Sequence, residues 1–332
     1  MSNSLLPKIS GRSRRQFLEW GLTGVGAIGG AIALRSFLSD RTAPRVPEIV
    51  VPSPTETPNG FSPTAIAREF DYGVLKREGG KIIREFRLTA RTTPLQLNSA
   101  VSFVSWNVNG RVPGPTLRAT AGDRVRIIFH NEAGHSHSLH FHGTHPPEAD
   151  GVMPIRNGKE TIYEFTAEPF GVHLYHCHIA PIARHISKGL YGMFIVDPPQ
   201  ARPPADEIVL VMGGYDLNND KRNELYAFNG LPDYYRSHPL KIYQNQLVRL
   251  YLLNMVEFDA ALSFHIHGNL FRVYRTGRSL IPAEETDVIT MGTAERHILE
   301  FSYPYAGRYM FHPHQDEIAE RGCMGLFDVL PA

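Results

Sequence analysis

From about residue 82 to the C-terminus, apolar and polar residues alternate in short runs such as Arg124-Val125-Arg126-Ile127-Ile128-Phe129 and Leu247-Val248-Arg249-Leu250-Tyr251-Leu252, with frequent Gly and Pro between them. Successive side chains of a strand point to opposite faces, so this period of two predicts short β-strands that pack in sheets. No long helical period appears. The simplest architecture is all-β, two sandwich domains in tandem. The pattern also repeats: Glu164-Phe165-Thr166, Gly171 and Tyr175-His176-Cys177-His178 match Glu300-Phe301-Ser302, Gly307 and Phe311-His312-Pro313-His314 at constant offset. The halves end alike, in Gly189-Leu190-Tyr191-Gly192-Met193-Phe194 and Gly322-Cys323-Met324-Gly325-Leu326-Phe327. Asp197-Pro198-Pro199-Gln200-Ala201-Arg202-Pro203-Pro204 lies between the copies as a stiff linker. The expected domains are 82–198 and 199–332.

Upstream the pattern changes twice. Residues 40 to 64 are rich in Pro, Thr and Ser without apolar periodicity, so 40–81 is expected to be a tether and N-terminal extension. Within 1–39, Ser13-Arg14-Arg15-Gln16-Phe17-Leu18 precedes an apolar, glycine-rich stretch from Gly21 to Leu34, which resembles a twin-arginine export signal. Ala31-Ile32-Ala33 is a candidate cleavage site, and Arg35 interrupts the apolar stretch short of the ~20 residues a membrane span needs. The expected location is periplasmic or extracellular, with membrane attachment only if the segment stays uncleaved.

Composition narrows the partners. A chain of 332 residues with 42% hydrophobic content can bury a substantial core, while a net charge of +1 without a basic block beyond the N-terminus gives no reason to expect nucleic acid. The expected partners are small molecules. Only Cys177 and Cys323 are present, and Cys177 lies between His176 and His178, so no structural disulfide is expected.

The chemistry lies in four His-any-His pairs: His140/His142, His176/His178, His265/His267 and His312/His314. One such pair more often reflects solvated or core histidines than a metal site. Four pairs are hard to read that way, since neutral imidazole suits copper, zinc and iron. On a strand His176 and His178 share a face while Cys177 takes the other, so one segment can serve two metal sites.

Together with Asn109-Gly110-Arg111-Val112-Pro113-Gly114-Pro115-Thr116 and Gly122-Asp123, these pairs resemble the multicopper oxidases, built from cupredoxin (Greek-key β-sandwich) domains. The resemblance spans nearly all of 82–332. With two domains, the chain is most similar to the two-domain, laccase-like branch with its mononuclear (type 1) copper in the first domain. The family's spacing then selects His137, Cys177 and His185 as type 1 ligands, with Leu190 at the axial position. His135 could compete with His137, and Met193 with Leu190. A leucine there cannot ligate, which implies a nearly three-coordinate copper of high reduction potential. The second domain has Leu262, Pro313, Ile318 and Cys323 at the equivalent places, so it is expected to lack this site.

The resemblance further implies that His140 and His265 hold the type 2 copper, and that His142, His176, His178, His267, His312 and His314 hold the type 3 pair. That is four coppers per subunit, one type 1, one type 2 and two type 3. Each domain offers half of the eight clustered ligands, which implies assembly between domains of neighbouring subunits in a homotrimer, although pairing within one chain stays open. The implied activity couples one-electron oxidation of a small reductant, such as a phenol-like compound or a metal ion, to reduction of dioxygen to water. Electrons would enter at an exposed edge of His185 and pass through Cys177 to its neighbours His176 and His178.

Asp150, before Gly151, is the candidate proton donor, although Asp-Gly is equally a turn signal. Glu317 and Glu320 are weaker candidates, and His130, His145, His173, His238 and His297 are expected to be surface or supporting residues. Two alternatives compete. A copper nitrite reductase would use fewer interfacial histidines, and a non-catalytic electron-transfer protein would leave the His pairs unused.

Overall fold

The computed structural model describes residues 59–332. The expected export signal and residues 40–58 of the expected tether lie outside the described residues. Among the described residues no helix is long and apolar enough to cross a membrane.

Strands make up most of the regular structure of the described residues and are arranged in four sheets. The first two hold β1 (Val74–Glu78), β2 (Lys81–Gln96), β3 (Ser102–Val108), β4 (Leu117–Thr120), β5 (Arg124–Asn131), β6 (His140–Phe141), β7 (Lys159–Thr166), β8 (Gly171–His176) and β9 (Tyr191–Asp197). One has the order β1-β2-β5-β7 with β3 on β2, and the other β4-β9-β8-β6. Phe86, Leu88, Ile127 and Phe129 from the first and Phe141, Tyr175, Phe194 and Val196 from the second form one buried cluster, which makes the pair a sandwich.

The second half repeats the plan with β10 (Asp206–Tyr215), β11 (Leu225–Phe228), β12 (Leu240–Tyr243), β13 (Val248–Asn254), β14 (Leu262–Ile266), β15 (Phe271–Arg275), β16 (Glu284–Thr286), β17 (Val288–Met291), β18 (Arg296–Phe301), β19 (Gly307–His312) and β20 (Gly325–Leu330). Its sheets run β11-β10-β13-β18-β15-β16 and β12-β20-β19-β14-β17. The fold is two cupredoxin-like sandwiches in tandem.

The outer face of β8 and β9 is not free. Val172, Leu174, Met193 and Ile195 join Ile208, Leu210, Met212 and Leu252 in a second cluster, so this sheet is covered on both sides. All six residues of β8 are buried. The Arg296 Nε–H donates to the Val172 carbonyl at 3.0 Å, and the Val172 N–H to the Thr276 carbonyl at 2.8 Å, which ties the two halves by the backbone of β8.

The expected extension is more ordered than its composition suggests. A one-turn helix α1 (Pro63–Ile66) is capped by Ser62, and Phe61, Ala65 and Ile66 are buried. Strand β1 follows and pairs with β2. Tertiary burial decides here, because a four-residue helix shows no period in a sequence. Helices α2 (Ile182–Ser187), α3 (Tyr234–Ser237) and α4 (Asp316–Glu320) are equally short.

Candidate metal centres

Strand β8 builds two sites from one segment. Tyr175 and Cys177 project into the core of the first sandwich, while Val172 and Leu174 face the second half of the chain, so His176 takes the side opposite Cys177. Cys177 Sγ lies 3.2 Å from Nδ1 of His185 and 3.6 Å from Nδ1 of His137, and these two nitrogens are 3.1 Å apart. All three residues are buried. His137 reaches the site from the loop before β6, and His185 from α2.

Two imidazole nitrogens and one thiol sulfur converging in a closed apolar pocket form a donor set for a soft or borderline metal ion. Burial, reinforced by neighbouring imidazoles, lowers the pKa of His137 to about 3, and burial with the field of His135 and Arg184 lowers that of His185 to about 4. Both rings therefore stay neutral and keep a lone pair for a metal at ordinary pH. Burial pushes the Cys177 thiol up, so a cation is needed to hold it as thiolate.

Leu190 is fully buried in the same cluster as Cys177, and its carbonyl accepts the Cys177 N–H at 3.0 Å. Met193 belongs to the cluster on the other side of β9, away from the thiol. His135 stands outside the triad, its ring 4.4 Å from that of His137. His185 keeps only a small exposed edge, 4% of the residue, and Trp106 lies against its ring, centroids 4.9 Å apart.

The paired histidines form two groups that mirror each other. His140 faces His176 across β6 and β8, as His265 faces His312 across β14 and β19. Nε2 of His142 is 3.2 Å from Nε2 of His176, and Nε2 of His267 is 3.0 Å from Nε2 of His312. Two imidazole nitrogens at that distance can share a proton or a metal ion. Nδ1 of His176 and His312 each pairs with the next residue's carbonyl, at 2.9 and 2.7 Å, which leaves Nε2 to face the site. His178 and His314 complete the groups, with rings 5.1 Å from His140 and 5.3 Å from His265.

Burial, with the nearby rings, lowers His142 to about 3 and His176 to about 4, and lowers His267 as well. Neutral imidazoles clustered in this way suit metal ligation. Among the described residues no hydrogen bond or ring contact joins one group to the other. The second group lines an open cleft of about 400 Å³ together with Asp316 and Glu320.

Asp150 is held at the first group. Its carbonyl accepts from Nδ1 of His140 at 2.9 Å, and its carboxylate lies 3.1 Å from the same nitrogen and 3.8 Å from Nε2 of His145. Gly151 makes this possible, with φ +77° and a backbone so close to β6 that an added Cβ would fall 2.0 Å from the Leu139 carbonyl oxygen. The turn and the site therefore coincide. The second group has a counterpart that sequence reading missed: the Asp287 carbonyl accepts from Nδ1 of His265 at 2.7 Å, with the carboxylate at 3.8 Å. Asp287 lies far downstream of His267-Gly268 and precedes Val288 rather than a glycine, so only the pairing of β14 with β17 reveals it.

The remaining candidates lie elsewhere. Glu317 pairs with Arg321, and His130 lies near Glu132. His238 stacks on Tyr234. His173 and His297 are interior residues, 4% and 1% exposed, rather than surface ones. Cys323, at the place equivalent to the first domain's metal site, is fully buried without a ligand partner.

Comparison with known proteins agrees with this geometry. Family models of multicopper oxidases match residues 89–201 and 201–332. A crystal structure of a multicopper oxidase is 47% identical, with a TM-score of 0.79 over 81% of this chain and 97% of that one. A copper nitrite reductase from Nitrosomonas europaea is 28% identical, with a TM-score of 0.71 over 75% of this chain and 94% of that one. The copper-containing nitrite reductase of Neisseria gonorrhoeae is 27% identical over 71% of this chain and 65% of its own length, so the chain spans slightly less than two thirds of that relative.

Proposed function

We propose, from the premise that the chain belongs to the multicopper oxidase family, that it couples one-electron oxidation of a small reductant to four-electron reduction of dioxygen. The reading is a laccase-like oxidase of phenol-like compounds or metal ions. Each dioxygen takes four electrons and four protons and leaves as two waters.

The observation that carries this reading is the pair of mirrored groups, each with four histidines. A first-row ion takes at most about six ligands, so eight imidazoles are too many for one interfacial metal and too ordered for none. Copper bound at these donors and at the thiolate triad would supply one-electron redox chemistry and the place where dioxygen is reduced. His137, Cys177 and His185 would hold one ion. His140, His142, His176, His178, His265, His267, His312 and His314 would hold three, for four per subunit. Cys177 lies between His176 and His178 in the chain, so the two donor sets adjoin through two peptide units. The Asp150 carboxylate, beside His140 and His145, is placed to hold a proton near the cluster.

Each group is half a site, and the halves of one chain make no contact, which supports assembly between subunits as a homotrimer. Exposed apolar residues border both halves: Val152 and Met153 follow Asp150, while Leu270 and Val288 flank His267 and Asp287. A surface of this kind favours burial against a partner. The N-terminal arginine pair supports export by the twin-arginine route to the periplasm or beyond.

The nitrite reductase reading is favoured by the curated relatives and opposed by the histidine count. Metal analysis of fully loaded protein separates them. The oxidase predicts about four coppers per subunit and oxygen uptake without peroxide, whereas about two coppers with nitrite-dependent nitric oxide formation would replace it with the reductase.

A further inference from the structure

Strands β14, β19 and β20 lie side by side in the second sandwich, and their register sets which side chains share a face. His265 pairs with His312 across β14 and β19, and the His267 N–H donates to the Met310 carbonyl at 2.9 Å, which places Met310 opposite His267. On the other side of β19, Met310 pairs with Leu326 and Phe311 with Gly325, so Met324, one residue before β20, stands beside His312. Side chains opposite one another in an antiparallel pair project from the same face, with Cβ atoms about 5 Å apart. Two thioethers therefore neighbour the imidazoles of His267 and His312, whose Nε2 atoms lie 3.0 Å apart.

The first sandwich has the same grid with other occupants. His176 pairs with Tyr191, and Leu174 with Met193, and these three partners of the histidine group lie buried beneath the second half of the chain. Met310 and Met324 are half-buried, belong to neither buried cluster and line the open cleft that holds the second histidine group. Core filling, the usual task of methionine, does not account for them there. Asp316 and Glu320 line the same cleft, and their charge draws cations towards it. Thioether sulfur is a soft donor that selects Cu(I), whereas imidazole serves zinc and Cu(II) as well.

We propose that Met310 and Met324, with His267 and His312, form a cuprous-ion docking site from which copper is passed to the second histidine group. No electron moves in this step: the ion exchanges its carrier's donors for thioethers, and then thioethers for imidazoles. The site rests on the oxidase reading for its cargo and on the chain's own side chains for its donors.

The test uses the full chain, copper-free, with Cys177→Ser to remove the competing thiol and with methyl-labelled methionine. The chain has eight methionines, and the resonances of Met310 and Met324 are those lost on Met310→Leu and Met324→Leu. Cu(I), added without dioxygen as its acetonitrile complex, should shift these two together and saturably, and leave the resonance of the fully buried Met193 in place. In the double leucine variant, chelator competition should find Cu(I) held about tenfold more weakly, the smaller loss usual when a metal site loses a supporting group, and Zn2+ held as before. Bound Cu(I) with both resonances unmoved, or an equal loss for Cu(I) and Zn2+, overturns the docking site. With Cys177 restored, the double variant should gain copper more slowly from Cu(I) and at an unchanged rate from Cu(II), and equal rates from Cu(I) overturn the passage to the histidines. The expected shifts in a protein that, fully loaded, takes up no oxygen with any reductant leave the docking site standing and remove the oxidase. Oxygen uptake with unmoved resonances does the reverse.

Discussion

Assembly can be tested by complementation, with a magnitude that follows from the arrangement of half-sites. His140→Ala with His142→Ala removes two ligands from the first group, and His265→Ala with His267→Ala removes their mirror counterparts from the second. If clusters form between the first domain of one subunit and the second domain of its neighbour, each pure variant damages every interface and is inactive. In a mixed ring an intact interface needs the first domain from one variant and the second domain from the other. Every trimer that contains both variants has that combination at one of its three interfaces, so oxygen uptake by mixed rings should recover to about a third of the unmodified protein. Pairing within a chain offers no such route, because every chain carries one damaged half. The assay is oxygen consumption by co-expressed, differently tagged variants purified through both tags, which guarantees mixed rings. Uptake below a few per cent in such rings would refute assembly between subunits, and recovery after simple mixing of folded pure trimers would show subunit exchange to be fast.

Three further outcomes follow from the sites. Leu190→Met should lower the reduction potential of the mononuclear centre, as a thioether replaces a side chain that cannot ligate, and a redox titration with no downward change would remove Leu190 from the axial position. Gly151→Ala should cost at least about 1 kcal/mol and loosen Asp150 from His140, because the added methyl would collide with the Leu139 carbonyl at a positive φ; unchanged thermal unfolding and interfacial copper content would contradict the close approach. His297 is buried, and burial lowers its pKa to about 4, so the unfolded chain takes up its proton first as pH falls from 6.5. Its stabilising contribution is complete above about pH 6.5 and is lost towards pH 4, with about 2 kcal/mol already lost at pH 5. His297→Asn keeps an acceptor for the Thr276 N–H and should flatten denaturant stability between pH 7 and 5 by that amount, while an unchanged slope would mean that His297 is not held neutral.

Much of this protein is legible along the chain because its periodicities are local. Strand alternation separates Cys177 from His176 without knowledge of the fold, and the constant offset between the two His-rich segments reveals two copies of one module. His137, Cys177 and His185 could be selected from spacing and family pattern, and the structure brings those three donors together. Other features depend on residues distant in sequence. β8 is buried on both faces because the second half packs against its outer side, so Gly171–His176 shows less alternation than an outer strand would. Trp106 meets His185 only through the neighbouring strand and helix, and nothing near either residue in sequence signals that contact. Asp287 reaches His265 by strand pairing alone, and α1 is too short to carry a period. The sequence by itself determined the module, its duplication and the donor set, since each depends on residue type and short-range spacing. Only the tertiary structure decided which faces are covered, which carboxylates reach the histidines and that, among the described residues, no hydrogen bond or ring contact joins the two histidine groups, since these depend on how sheets far apart in sequence pack.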